Sequence, residues 1–79
     1  MRGTPEWDEY IDWKVEFLIH NRDRIRRELD QAEEAEDEAL VVRIEGYIRD
    51  MENHALVPDE YVPDQFTEAH AFYRKDLNL

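Results

Sequence analysis

The sequence predicts an all-α protein: an antiparallel helical hairpin with a long first helix, a short C-terminal helix, and assembly as a dimer. Three observations carry this expectation. Leu40, Ile44, Tyr47, Ile48, Met51 and Ala55 recur at three- and four-residue steps and form one apolar stripe on a helix. Trp7, Ile11, Leu18, Ile25, Leu29 and Ala32 fall in a narrow arc of a second helical wheel, and no glycine or proline interrupts the chain between Pro5 and Gly46. Finally, the chain has 79 residues and no cysteine. A domain this small buries only about 60% of its unfolded surface, so with disulfides and Cys-based zinc excluded, a second copy is the common remaining support.

The first helix is expected over residues 5–35. Thr4 can cap it, Pro5 suits its first position, and Glu6, Asp8 and Glu9 favour the positive end of its dipole. The stripe stays in phase through His20–Asp23, although a break at Asn21–Asp23 into two shorter helices is the alternative. The two halves differ in texture. Tyr10, Trp13, Val15, Phe17 and Ile19 widen the apolar arc of the first half to more than half the circumference, which calls for enclosure. Ile25, Leu29 and Ala32 form a thin seam that needs only one neighbour.

Ala32–Glu38 is the expected turn, with Asp37 capping a second helix over 38–54. It lacks the glycine that helix ends usually recruit. Without a turn, the chain would form one helix to His54, stable only in a coiled assembly. Residues 55–63 hold Pro58 and Pro63 and read as an irregular connection. A short helix over 64–76 puts Phe66, His70, Tyr73 and Leu77 on one face, with Ala69 beside it. The chain direction carries this helix back to the aromatic half of the first one, where Phe66, Phe72 and Tyr73 are expected against Trp7, Trp13 and Phe17. On that packing Trp13→Ala costs about 3–5 kcal/mol if the ring is enclosed.

Charge is the strongest global feature: 21 Asp and Glu oppose 10 Lys and Arg, giving −11. Such a surface repels phosphates and anionic membranes, so neither direct nucleic-acid binding nor membrane binding is expected. The longest mostly apolar stretch, Val15–Ile19, is too short to span a bilayer, and the N-terminus carries no secretory pattern, so the expected location is cytoplasmic. Among the basic residues, Lys14 and Lys75 stand against eight arginines. Acidity with Arg in place of Lys fits halophilic adaptation, in which high salt screens carboxylate repulsion; it equally fits recognition of a basic partner.

Residues that could carry chemistry are few. Glu16–His20 and Asp50–His54 are i,i+4 pairs, but the Glu-x-x-His spacing of di-metal bundles and His-Glu-x-x-His are both absent, so no metal or other cofactor is expected. Serine is absent and glycine occurs only at positions 3 and 46, which removes nucleophile elbows and phosphate loops; catalysis is not expected. Arg22, Arg24, Arg26 and Arg27 read as local neutralisation, through pairs such as Asp23–Arg27 and Arg26–Asp30.

Three sets of residues remain as candidate partner-binding positions. The first is the aromatic set Trp7, Trp13 and Phe17. The second is Val42 with Gly46, a mid-helix glycine that costs about 1 kcal/mol against alanine and so marks either close approach of another helix or a tolerated exposed position. The third is the acidic run Glu33, Glu34, Glu36, Asp37 and Glu38, whose plain alternative is a solvated turn. The function expected is a non-enzymatic protein that binds itself or an unidentified protein. The alternative is an acidic inhibitor, a DNA mimic occupying a basic site. Apolar assembly should survive high salt, and a basic-site complex should weaken steeply.

Overall fold

The computed structural model describes residues 2–79; Met1 lies outside them. Three helices follow in order: α1 (Pro5–Glu34), α2 (Glu38–His54) and α3 (Thr67–Asp76), with single 3-10 turns at Asp59–Tyr61 and Asp64–Phe66 and no strand among the described residues. The first helix is long and packs against the second.

Local signals set the helix starts. The Thr4 hydroxyl oxygen accepts the Trp7 amide at 3.2 Å and Pro5 opens α1, while Asp37 Oδ1 accepts the Leu40 amide at 3.2 Å to open α2. No break occurs at residues 21–23. Asn21 sits inside the helix with its side-chain amide donating to the Phe17 carbonyl at 3.0 Å.

The helix ends are less orthodox. At the end of α1, Glu36 takes a left-handed φ of 55°; its amide reaches the Glu33 carbonyl and the Asp37 amide reaches Ala32, both at 3.1 Å. This is the Schellman pattern built on glutamate, although a side chain in that conformation costs about 1–2 kcal/mol. Ala55 (φ 51°) after α2 and Asn78 (φ 62°) after α3 repeat the left-handed stop without glycine. The missing glycine therefore did not prevent the turn; ladder bonds and packing of α2 hold it.

After the turn α2 runs back along α1, and an ion pair joins Arg26 of α1 to Glu52 in the last turn of α2. Ile25 and Ala32 bury against Ile44 and Met51, flanked by Leu18, Leu29, Leu40, Val41 and Ile48. A second cluster forms where the C-terminal segment reaches the start of α1. Tyr10, Phe66 and Ala69 are buried there, among Trp7, Ile11, Trp13, Val62 and Tyr73. The connection is more than a linker: Leu56, Val57 and Pro58 are all buried.

Rings from the two ends of the sequence interlock as the chain direction predicts. Centroids lie 5.6 Å apart for Trp7–Phe72, 6.2 Å for Trp7–Tyr73 and 5.5 Å for Trp13–Phe66. Phe17 differs: its partner from the C-terminal segment is Tyr61, at 5.5 Å, which also meets Tyr47 of α2. The enclosure expected for the whole first half of α1 is only one-sided. Val15 is 46% and Ile19 68% exposed, because the ten residues of α3 and the connection before it cover the aromatic side alone.

Candidate functional site

The aromatic set lies at one end of the molecule, which measures 44 × 24 × 22 Å, and the acidic set at the other, with Val42 beside the acidic set. Trp7, Trp13 and Phe17 are half-buried in the ring cluster at one end. Glu33, Glu34, Glu36, Asp37 and Glu38 are all exposed at the hairpin tip, at the far end of α1. Two of them have local structural duties, Asp37 as the α2 cap and Glu36 as the left-handed stop. Val42 lies near this tip, 71% exposed, and shares a hollow of about 540 Å³ with Glu33, Glu36, Glu38 and Val41. Around Gly46 there is no close approach: a Cβ placed there meets only the Arg49 guanidinium, at an ordinary 3.6 Å.

Of the two i,i+4 histidine pairs, Glu16–His20 forms at 2.9 Å on the exposed surface. Among the described residues, no group of three or more His, Asp or Glu side chains could hold a metal ion. The arginine cluster also pairs differently from the sequence expectation. Arg24 lies 3.9 Å from Glu28, and Arg26 reaches across to Glu52 on α2 in place of Asp30, since the hairpin brings that carboxylate alongside.

A polar network runs from the aromatic cluster out to the surface. His70 is 6% exposed and uses both ring nitrogens: Nδ1 is 3.0 Å from the Tyr10 hydroxyl and Nε2 is 2.7 Å from Asp59 Oδ1. A carboxylate can only accept, so Nε2 carries a proton, and in the neutral ring Nδ1 then accepts from the Tyr10 hydroxyl. Arg74 donates to the other Asp59 oxygen at 2.7 Å. Beside this chain, the Tyr73 hydroxyl donates to the His54 carbonyl at 2.6 Å, fastening α3 to the last turn of α2. Lys14, 6% exposed, sets its ammonium 3.7 Å from the centre of the Tyr73 ring.

Burial controls the ionisation of Tyr10, Tyr73 and Lys14. It pushes the Tyr10 hydroxyl far above the ordinary tyrosine range, helped by the neighbouring Tyr73 and Asp59, and raises Tyr73 as well. It lowers the Lys14 ammonium below its usual 10.5. The order tyrosine, histidine, aspartate resembles a nucleophile–base–orienter chain, but the geometry opposes that use. Tyr10 is fully buried, and both nitrogens of His70 are engaged. The network works as a clamp joining α1, the connection and α3.

The sequence contained a weak signal of this clamp. His70 falls on the apolar face of α3, and Tyr10 and Lys14 sit four residues apart near the middle of the apolar arc of α1. Polar groups on a buried face need partners, and Tyr10 and His70 supply each other. Asp59, in an acidic connection, had no distinguishing pattern. No helix among the described residues is long and apolar enough to cross a membrane. Comparison with protein-family models, curated proteins and solved structures gives no match to this chain.

Proposed function

We propose that this chain is a non-enzymatic helical protein that works by protein–protein contact, presenting the outer face of α1 to a second copy or to another protein. The observation that carries this reading is the exposed aliphatic pair Val15 and Ile19, one helical turn apart on α1. The aromatic side of the same turns is covered by the chain itself, which leaves this strip as the apolar surface that α1 offers to a partner. The reading predicts particle mass that grows with concentration, or a protein captured from host extract that stays bound at high salt, where the repulsion of a −11 chain is screened. A chain that is monomeric at every concentration and retains nothing at high salt would overturn it.

A second reading rests on the hairpin tip. Glu33, Glu34, Glu36, Asp37 and Glu38 remain exposed there beside Val41 and Val42, an arrangement suited to a basic groove on a nucleic-acid-binding protein. Retention of a basic DNA-binding protein from the same extract at low salt only would favour this second reading.

A further inference from the structure

We infer that the outer face of α1 is a self-complementary seam through which two copies of this chain pair antiparallel, about a two-fold axis level with Phe17. The inference rests on the proposed reading and specifies its surface and its partner. Asp8, Asp12, Val15, Ile19, Arg22 and Arg26 follow one another at steps of four, three, four, three and four residues, the a/d spacing of a coiled-coil seam. On α1 they occupy an arc of about 80° at 100° per residue, and all six are exposed.

The order of residues along that seam is what selects the partner. It runs acid, acid, apolar, apolar, base, base. Turned end for end, the same list is its own complement: Asp8 meets Arg26, Asp12 meets Arg22, and Val15 meets Ile19, each contact made twice by symmetry. A parallel pair would set like charges side by side. Among the described residues, Asp8, Asp12 and Arg22 form no side-chain ion pair within their own chain, and Arg26 is held by Glu52.

Shape supports the same register. A shallow hollow of about 260 Å³ lined by Leu18, Ile19, Arg22 and Asp23 lies just past the two-fold level. In the antiparallel pair it receives Val15 of the second copy, with that copy's Asp12 reaching Arg22. Glu9, Glu16 and Asp23 border the seam on one flank, and Ile11 and Leu18 on the other. The pair therefore leans toward Ile11 and Leu18 and leaves the acidic flank in solvent. At about 0.15 M salt the Debye length is about 8 Å, which screens repulsion across bodies 22–44 Å wide while contact pairs keep their attraction. A seam of this length is a small interface, so pairing is concentration-dependent.

Charge reversal at the seam tests this directly. Asp12→Arg and Arg22→Asp each place like charges opposite one another in a homodimer, whereas a mixture of the two variants restores opposite charges in the heterodimer. Sedimentation equilibrium in about 0.15 M salt, from about 10 µM to about 1 mM, should show self-association of the native chain. Each variant alone should bind itself about tenfold or more weakly, and the mixture should return to near the native value. Asp12→Arg makes the chain two charges less acidic, so control by net charge predicts the opposite: tighter pairing of that variant. Both substitutions are at exposed positions, and unchanged helical circular dichroism confirms folding. If the native chain associates but neither variant weakens it, or the mixture is no better than its parts, this seam is wrong while protein contact stands. A native chain monomeric to the highest concentration overturns the pairing, and the high-salt capture experiment then decides the broader reading alone.

Discussion

The two ends of α1 are held by different physics. Toward the hairpin tip, Ile25 and Ala32 meet Ile44 and Met51 in an aliphatic seam with no titratable group among its buried residues. Toward the N-terminus, Tyr10 is wrapped by Trp7, Trp13, Phe66 and Tyr73, Lys14 and His70 are enclosed with it, and the hydrogen-bonded chain continues from His70 to Asp59 and Arg74 at the surface. The first region gains from removing apolar area from water, which tolerates exchanges of similar volume. The second also needs its hydrogen bonds satisfied, so its tolerance is narrower and depends on pH. One long helix thus joins a general packing surface to a specific one.

The largest expected effect separates the two ends by alkaline titration. Tyr10, Tyr47, Tyr61 and Tyr73 all have their pKa raised, burial being the first cause in each case. In the unfolded chain a tyrosine ionises near 10.0, so below that pH both states are neutral and nothing is lost. Above it only the unfolded state gives up the proton, and stability falls until the folded pKa is reached. Tyr10 alone sets a slope of about 1.4 kcal/mol per pH unit in that window. Lys14 has the opposite sign: the fold carries its desolvation penalty while the group is charged, and sheds it as pH rises toward 10.5. Stability should therefore hold to about pH 10 and then collapse. Both tryptophans, Trp7 and Trp13, belong to the aromatic end. Their emission should shift before helical circular dichroism falls; coincident curves would show that the two ends unfold as one unit.

Truncation of the most buried side chain at each end is next in size. Tyr10→Ala should cost about 3–5 kcal/mol in denaturant unfolding, with His70 Nδ1 left unpartnered as well. Ile25→Ala, equally buried in the seam, should cost about 2–4 kcal/mol. Since a chain of this size holds only about 4–12 kcal/mol, the tyrosine variant approaches global unfolding. A seam variant as damaging as the aromatic one would remove the distinction. Tyr10→Phe isolates the polar part. It keeps the ring and deletes the donor, so about 1–3 kcal/mol should be lost, together with the alkaline slope contributed by Tyr10. An unchanged slope would show that the Tyr10 hydroxyl is not the group held neutral.

Legibility in the sequence follows the same division. The seam and the folding back of α2 could be read from Leu40–Ala55 and Ile25–Ala32 because aliphatic packing writes itself as a three-four periodicity. The return of Phe66, Phe72 and Tyr73 to Trp7 and Trp13 followed from helix lengths and chain direction. The clamp as a whole was not legible: Tyr10 and His70 stood on apolar faces and so called for partners, but Asp59 joins His70 and Arg74 through tertiary proximity, which no local pattern encodes. Nor was the one-sided enclosure of α1. A helical wheel shows that Val15 and Ile19 are apolar, but only the length of α3 decides which side it covers. The helix ends were legible to within a residue, at 35, 54 and 76 against Glu34, His54 and Asp76, but not their form: Glu36 and Ala55 adopt a left-handed conformation that residue type alone disfavours.

The smallest expected effect concerns α2, whose outer face the sequence marked through Val42 and Gly46. Glycine inside a helix loses about 1 kcal/mol against alanine from backbone entropy, and a Cβ at position 46 meets only the Arg49 guanidinium at 3.6 Å, a flexible neighbour at ordinary contact distance. With no steric cost to oppose it, Gly46→Ala should stabilise the isolated chain by about 0.5–1 kcal/mol in thermal or denaturant unfolding. The same substitution separates the two outer faces. If pairing runs along Asp8–Arg26 of α1, self-association is unchanged, because Gly46 lies on the other helix. If a second helix approaches closely across Val42 and Gly46, the added methyl group weakens association even as it stabilises the monomer, and the α2 face carries the contact instead.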